Sequence, residues 1–438
     1  MIADGGGTVF ALASGAGQAA VSVVRVSGPD SSDIVLRLCG ALPAPRRAVL
    51  RALRGAGGEV LDRALVLWLP GPSSYTGEDS AELQLHGGRA VLLAVTDALL
   101  ALGARPAAPG EFTRRAFLNG RMDLLEAEAV ADLVAAETEA QRRQALRQME
   151  GAQSAVLADW AARLRKLLAW QEALIDFPEE DLPQEVETAL DSEIAALSAE
   201  LAAALQDTAR GMRLRDGLVI AVTGAPNVGK SSLVNALAGR EVAIVSALPG
   251  TTRDVLETRL DLDGIPVTLI DTAGLRETSD PVEAEGVRRA RARAASADIV
   301  LRVVDASAAG AAQAPTDAGE PIEDGLLVAN KVDVAPAPTG ALGVSARTGE
   351  GLDALRAWLA AAAARLTNAG GNVVLSRARH EAALQDAASA LAAAGRGLLP
   401  ELRGEELRLA LAALGRITGA VDVEALLDTV FSSFCIGK

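Results

Sequence analysis

The stretch GLVIAVTGAPNVGKSSLVNALAG, residues 217–239, constrains this chain more than any other. It consists of an apolar run, a loop matching G-x-x-x-x-G-K-S from Gly224 to Ser231, and a segment with Leu233, Val234 and Leu237 at helical spacing. That is a strand, a phosphate-binding loop and a helix, the first step of a mostly parallel sheet, so strands and helices should alternate after it. Asn227, Val228, Gly229, Lys230, Ser231 and Ser232 form the expected cradle. Gly224 and Gly229 let backbone N–H groups turn onto phosphates, Lys230 reaches the β- and γ-phosphates, and Ser231 offers its hydroxyl to Mg²⁺. The alternative is a glycine-rich turn without nucleotide.

The base is named downstream in LLVANKVDV. The Asp333 carboxylate can accept both guanine donors while Asn330 and Lys331 brace the loop. Adenine would face that carboxylate with the wrong edge, and each unpaired buried polar group costs roughly 1–3 kcal/mol. NKxD is weak evidence by itself. Here it follows LIDTAGLR and precedes VSAR, with Ser345 and Ala346 behind the base, and together these motifs read as a guanine-nucleotide domain. Asp271 is expected in the Mg²⁺ shell, the Gly274 N–H at the γ-phosphate, and Thr252 of GTTRD as a further Mg²⁺ ligand. Leu275 stands where many GTPases carry a water-orienting Gln. The candidate replacement is Glu283 in RETSDPVEAEG, although by sequence alone an acid there more often caps the start of a helix or is simply solvated.

The whole chain of 438 residues has room for two or three domains, and 50% of its residues are hydrophobic. Residues 1–121 are rich in short apolar or alternating runs closed by Gly and Pro, such as AAVSVVRVSG and AELQLHGG, which predicts an α/β domain. Residues 122–215 are long Ala/Leu/Glu/Arg segments broken at DFPEEDLP, where Pro178 and Pro183 end a helix. The nucleotide domain covers 216–367, and helices resume over 368–438. The expected fold is therefore a multidomain α/β protein with a discontinuous all-α domain into which a Ras-like P-loop domain is inserted.

A net charge of −15 argues against nucleic-acid binding by general electrostatics. Two cysteines and two isolated histidines make a disulfide framework or zinc site unexpected. No signal peptide or bilayer-spanning run is evident, so the expectation is a cytoplasmic chain without a membrane role. Yet Cys435 stands four residues from the end, in FSSFCIGK. As a prenylation box CIGK is poor, with Gly437 and Lys438 in its last positions and no polybasic segment before it. Val423, Leu426, Leu427, Val430, Phe431 and Phe434 instead mark one helix face that should dock the tail.

GAPNVGKSS, GTTRD, DTAGLRE, NKVD and above all the terminal FCIGK resemble the bacterial MnmE (TrmE) family of tRNA-modification GTPases. So do VVRVSG, PSSYTGEDSAELQLHGG and PGEFTRRAFLNGRMDLLEAEAVADL, so the likeness runs the whole length. Assembly GTPases acting without chemistry on RNA share the first motifs but lack these flanks. The resemblance implies a homodimer through the N-terminal domain, which would bind a tetrahydrofolate derivative, and a partner, the FAD-containing MnmG. With folate as one-carbon donor, that pair places aminomethyl or carboxymethylaminomethyl groups on C5 of the wobble uridine of certain tRNAs. It implies folate contacts at Arg25, Glu82 and Arg121, K⁺ held by Asn227 and by carbonyls around Thr251, and Cys435 in the modification site. Glu82 would share a strand face with Gln84 and His86, a face that solvent alone would also suit. Cys435 has a structural alternative in packing the terminus, and Asn227 one in bracing its loop. Ala13-Ser14-Gly15 replaces the family's usual Ala-Thr-Pro, and Arg121 stands where Lys is common.

Overall fold

The structure is a computed structural model that describes residues 6–176, 184–239, 257–271, 292, 294–308, 325–368, 374–396, 399–421, 424–432 and 434–437. Two compact units divide the chain: residues 1–134, 148–157 and 414–438 form one, and residues 135–147 and 158–413 the other. The fold is the expected mixture of α/β sheets and long helices.

In the first unit a six-stranded sheet has the order β3-β4-β5-β2-β1-β6. The strands are β1 (Val9–Leu12), β2 (Val21–Ser27), β3 (Val49–Arg54), β4 (Val60–Leu69), β5 (Ser80–His86) and β6 (Arg105–Pro106). Alternation in β5 sends Ala81, Leu83 and Leu85 into the core and leaves Glu82 and Gln84 half-buried on the other face. The helices Ser31–Cys39 and Arg89–Ala101 cover the inner face with Ile34, Val35, Leu38, Val95 and Leu99. On the outer face Leu50 and Leu65 pair across β3 and β4, and both are exposed.

The helix Glu111–Leu118 is tied to this sheet by a buried charge network. The Glu111 carboxylate accepts from Arg105 at 2.9 and 2.6 Å, from the Ala108 N–H at 2.9 Å and from Arg115 at 2.9 Å. Arg115 also donates to Glu78 at 2.9 Å. Burial by itself raises the Glu111 pKa, but the Arg105 bonds, the Ala108 N–H and Arg115 outweigh it and hold the carboxyl below its ordinary 4.5. A depressed carboxyl pKa contributes stability that is present above the ordinary value and is lost as pH falls through the lowered one. Glu111→Gln, which leaves Arg115 short of a counter-charge, should therefore cost about 3 kcal/mol at neutral pH. In urea unfolding the gap between variant and wild type should narrow as pH drops below 4.5.

The C-terminal helix Glu424–Ser432 belongs to the same unit. Leu427, Val430, Phe431 and Phe434 are buried with Leu124 and Ala127, and Phe117 and Met122 pack against them. Arg114 pairs with Asp428 at 3.4 Å. Val423 and the side chain of Leu426, both on the expected helix face, lie outside the described residues.

The second unit carries the other six-stranded sheet, ordered β12-β11-β10-β7-β9-β8. Its strands are β7 (Leu218–Thr223), β8 (Glu257–Leu262), β9 (Ile265–Asp271), β10 (Ile299–Asp305), β11 (Gly325–Asn330) and β12 (Leu342–Val344). All neighbours are parallel except β8 and β9. β7 lies between β10 and β9, so the chain passes from β7 to the β8–β9 side and then to β10 on the opposite side; open α/β sheets form ligand crevices at the carboxyl ends of strands where the order reverses in this way. Long helices, Gln184–Asp216 and Ala378–Ala394 among them, make up the rest of this unit. The helix Ala152–Asp176 ends on the first residue of DFPEEDLP, and Gln184 begins the next. Among the described residues no helix is long and apolar enough to cross a membrane.

Candidate functional site

The phosphate-binding loop follows β7 directly, and the helix Lys230–Ala238 begins at its end. Two glycines are required by geometry. Gly224 has φ +143°, and a Cβ there would lie 2.2 Å from the Val303 carbonyl oxygen. Gly229 has φ +93°, and its Cβ would lie 2.3 Å from Nδ2 of Asn330. Lys230 is buried, and its ammonium donates to the Gly224 and Ala225 carbonyls at 2.8 and 2.9 Å. It thus spans the loop from inside, beside the positive end of its own helix. Ser231 hydrogen-bonds through its hydroxyl to Asp271 at the end of β9. That sets two hard oxygen donors side by side, the chemistry that suits Mg²⁺. Ser232 is exposed on the same helix turn, and Val228 is buried beneath the loop.

The residues expected to recognise the base converge on this loop from β11 and β12. Asn330 donates through Nδ2 to the Val228 carbonyl at 3.0 Å and accepts through Oδ1 from the Ala346 N–H at 3.1 Å. Lys331 donates to the Asn227 carbonyl at 3.1 Å and to Asp305 at 2.5 Å. Its bond to Asp305 is the leading cause of that carboxyl's low pKa, about 2. Asp333 accepts from the Ser345 hydroxyl at 2.6 Å and pairs with Arg347. The Ser345 bond leads the causes that lower the Asp333 pKa, so the carboxylate stays an acceptor at neutral pH. Asp305 and Arg347 are not among the residues that the sequence motifs single out. Asp305 was findable in principle, since it ends a parallel strand beside NKVD. Thr251, Thr252, Gly274 and Glu283 lie outside the described residues.

In the first unit β2 and β5 bring Arg25 and Glu82 into register. The Arg25 guanidinium donates to Glu82 Oε1 from Nε at 3.3 Å and from Nη2 at 3.0 Å. It also lies 5.2 Å from the Tyr75 ring centroid and 5.6 Å from that of Phe112. Tyr75, the one tyrosine of the chain, is fixed by a 2.8 Å bond to the Thr113 hydroxyl. Neither aromatic was visible as a partner of Arg25 in the sequence, because both contacts span dozens of residues. Arg121 is exposed and borders the same loop as Tyr75, for a Cβ on Gly77 would lie 3.3 Å from its Cγ. His86 is held apart from this group by Asp62, 2.7 Å from its Nδ1.

The tail reaches the same region. The Gly110 N–H donates to the Cys435 carbonyl at 3.4 Å, two residues before Phe112. A Cβ on Gly110 would lie 2.8 Å from the Phe431 carbonyl oxygen, and one on Gly437 would lie 2.3 Å from that of Leu12. Leu12 follows Ala11, which pairs with Arg25 across β1 and β2. Cys435 itself is exposed.

Comparison with known proteins gives the family of the chain. Residues 8–121 match the family described as GTP-binding protein TrmE N-terminus, and residues 124–435 match MnmE helical domain. The tRNA modification GTPase MnmE of Gluconacetobacter diazotrophicus is 59% identical over 436 residues, covering 98% of each chain. Those of Granulibacter bethesdensis and Rhodospirillum rubrum are 55% and 54% identical, each over 98% of this chain and 99% of the relative. A phosphate-loop sheet, a TrmE-type N-terminal domain and relatives matched from end to end leave one conclusion: this chain belongs to the MnmE family of tRNA modification GTPases.

Proposed function

We propose that this GTPase acts with an FAD-containing partner of the MnmG type to build aminomethyl or carboxymethylaminomethyl groups on C5 of the wobble uridine of tRNA. A tetrahydrofolate derivative bound in the N-terminal domain would supply the one-carbon unit. The observation that carries this reading is that the Arg25–Glu82 pair lies against Tyr75, whose loop runs on to Gly77 beside Arg121, while the tail of Cys435 docks on Gly110 and Leu12, near neighbours in sequence of Phe112 and of the strand residue that pairs with Arg25. These residues fit a folate. Glu82 spends Oε1 on Arg25, which leaves Oε2 to accept from donors on the pterin ring. Arg25 and Arg121 add positive charge for the anionic tail of the cofactor. Glu82→Ala in the full chain should weaken tetrahydrofolate binding by about tenfold or more, measured by calorimetric titration. A wild-type protein that binds no tetrahydrofolate would remove the cofactor from the reading.

In the nucleotide site we assign Lys230 to the β- and γ-phosphates, Asp333 to the guanine donors, and Ser231, Asp271 and Thr252 to Mg²⁺. Glu283, with the Gly274 N–H, takes the role of orienting the attacking water that Leu275 cannot fill. Asn227, whose backbone is held left-handed at φ +64°, and Thr251 are assigned to K⁺. The exposed Leu50–Leu65 pair and half-buried Leu67 on the outer sheet face support a homodimer through the N-terminal domain. We assign residues 1–121 to the folate domain, 122–215 and 368–438 to the helical domain and 216–367 to the GTPase domain. With tRNA as substrate and no membrane partner, the working compartment is the cytoplasm.

A further inference from the structure

In sequence the β8–β9 hairpin follows the GTTRD segment closely and ends at Asp271. Its turn is held from outside the sheet. The Ala140 N–H donates to the Gly264 carbonyl at 3.1 Å. Arg259 on β8 donates from Nη1 to both Glu137 oxygens, at 3.2 and 3.3 Å. Asp263 accepts from Arg356 at 2.7 Å. Gly264 has φ +89°, and a Cβ there would lie 3.8 Å from the Glu139 Cβ and 3.9 Å from the Ala140 nitrogen, so the turn sits flush on this segment.

Residues 137–141 hold a second element. Gln141 donates through Nε2 to the Arg215 carbonyl at 2.8 Å, three residues before β7 begins. One short piece of the helical segment therefore grips both the entry to β7 and the turn of the hairpin. β7 feeds the phosphate-binding loop, β9 delivers Asp271, and Ser231 bonds Asp271 across them. A slide of the hairpin against β7 would move the Asp271 carboxylate relative to the loop.

We propose that residues 137–141 seat the nucleotide strands, with Glu137 and Arg259 as positioning residues for GTP hydrolysis. Neither touches the reacting groups. They act by setting where β8 and β9 lie, which also gives the helical segment a physical route to sense changes at the nucleotide. Arg259 is 48% exposed and Glu137 28%, and such pairs add little to folding stability, so reversing one charge should shift geometry without unfolding the unit.

The test is charge exchange in the full-length protein. Glu137→Arg and Arg259→Glu should each lower kcat for GTP hydrolysis by about fivefold and leave KM within about twofold. Combining the two should return kcat to within about twofold of wild type. Single variants with wild-type kcat, a change in KM alone, or a double variant no faster than the singles would each overturn the proposal. Hydrogen exchange on the unmutated protein supplies a second arm. The peptide containing Ala140 should differ at least about threefold in exchange rate between complexes with GDP and with a non-hydrolysable GTP analogue. Equal rates would also overturn it.

Discussion

Lys230→Ala is expected to lower kcat/KM for GTP hydrolysis by at least about 10³-fold. The ammonium is buried and rests on the Gly224 and Ala225 carbonyls, so it is pre-placed inside the loop rather than recruited from solvent. No other Lys or Arg among the described residues donates to those two carbonyls. The effect should exceed that of removing one neutral donor, because the charge is held in a water-poor site where each electrostatic contact counts for more. Alanine is a strong helix former at the first position of the helix Lys230–Ala238, so the secondary structure should persist. Single-turnover hydrolysis is the measurement, with circular dichroism checking the fold. Activity within tenfold of wild type would mean that the loop charge comes from another group.

Cys435→Ser is the second large expectation: wobble-uridine modification should fall below about 1% of wild type, with GTP hydrolysis unchanged. A thiolate is far more nucleophilic than a serine hydroxyl near neutral pH, while the two side chains differ little in size. The docking of the tail does not use the thiol. It rests on buried Phe431 and Phe434, whose ring centroids are 5.2 Å apart, on the Cys435 carbonyl and on the close approach of Gly437 to Leu12. Serine should therefore leave the tail in place, and modified-nucleoside analysis of tRNA separates chemistry from packing. Normal modification by the serine variant would make the cysteine a structural residue. A prenyl adduct in the intact mass would instead restore the lipid-box reading of CIGK.

The nucleotide loop was legible because its chemistry is local. Gly224 to Ser231 are consecutive, and their types answer to backbone angles and phosphate contacts that depend on few distant atoms. NKVD and VSAR are also short, and their order after the phosphate loop and DTAG was enough to read them as the guanine-binding motifs. The helix face ending at Phe434 was legible from period alone, as was the alternation that turns Glu82 away from the core. Only the tertiary structure could decide that Arg25 meets Glu82, Tyr75 and Phe112 at once, since those contacts join β2 to residues 50 to 87 positions away. It likewise decided which backbone the FCIGK tail touches, that Asp305 braces Lys331, and that residues 137–141 grip the β8–β9 hairpin. Periodicity and motif spacing report how a segment treats water and its own backbone. Which partner a buried or half-buried charge finds depends on how sheets and helices pack, and a single sequence carries no direct record of that.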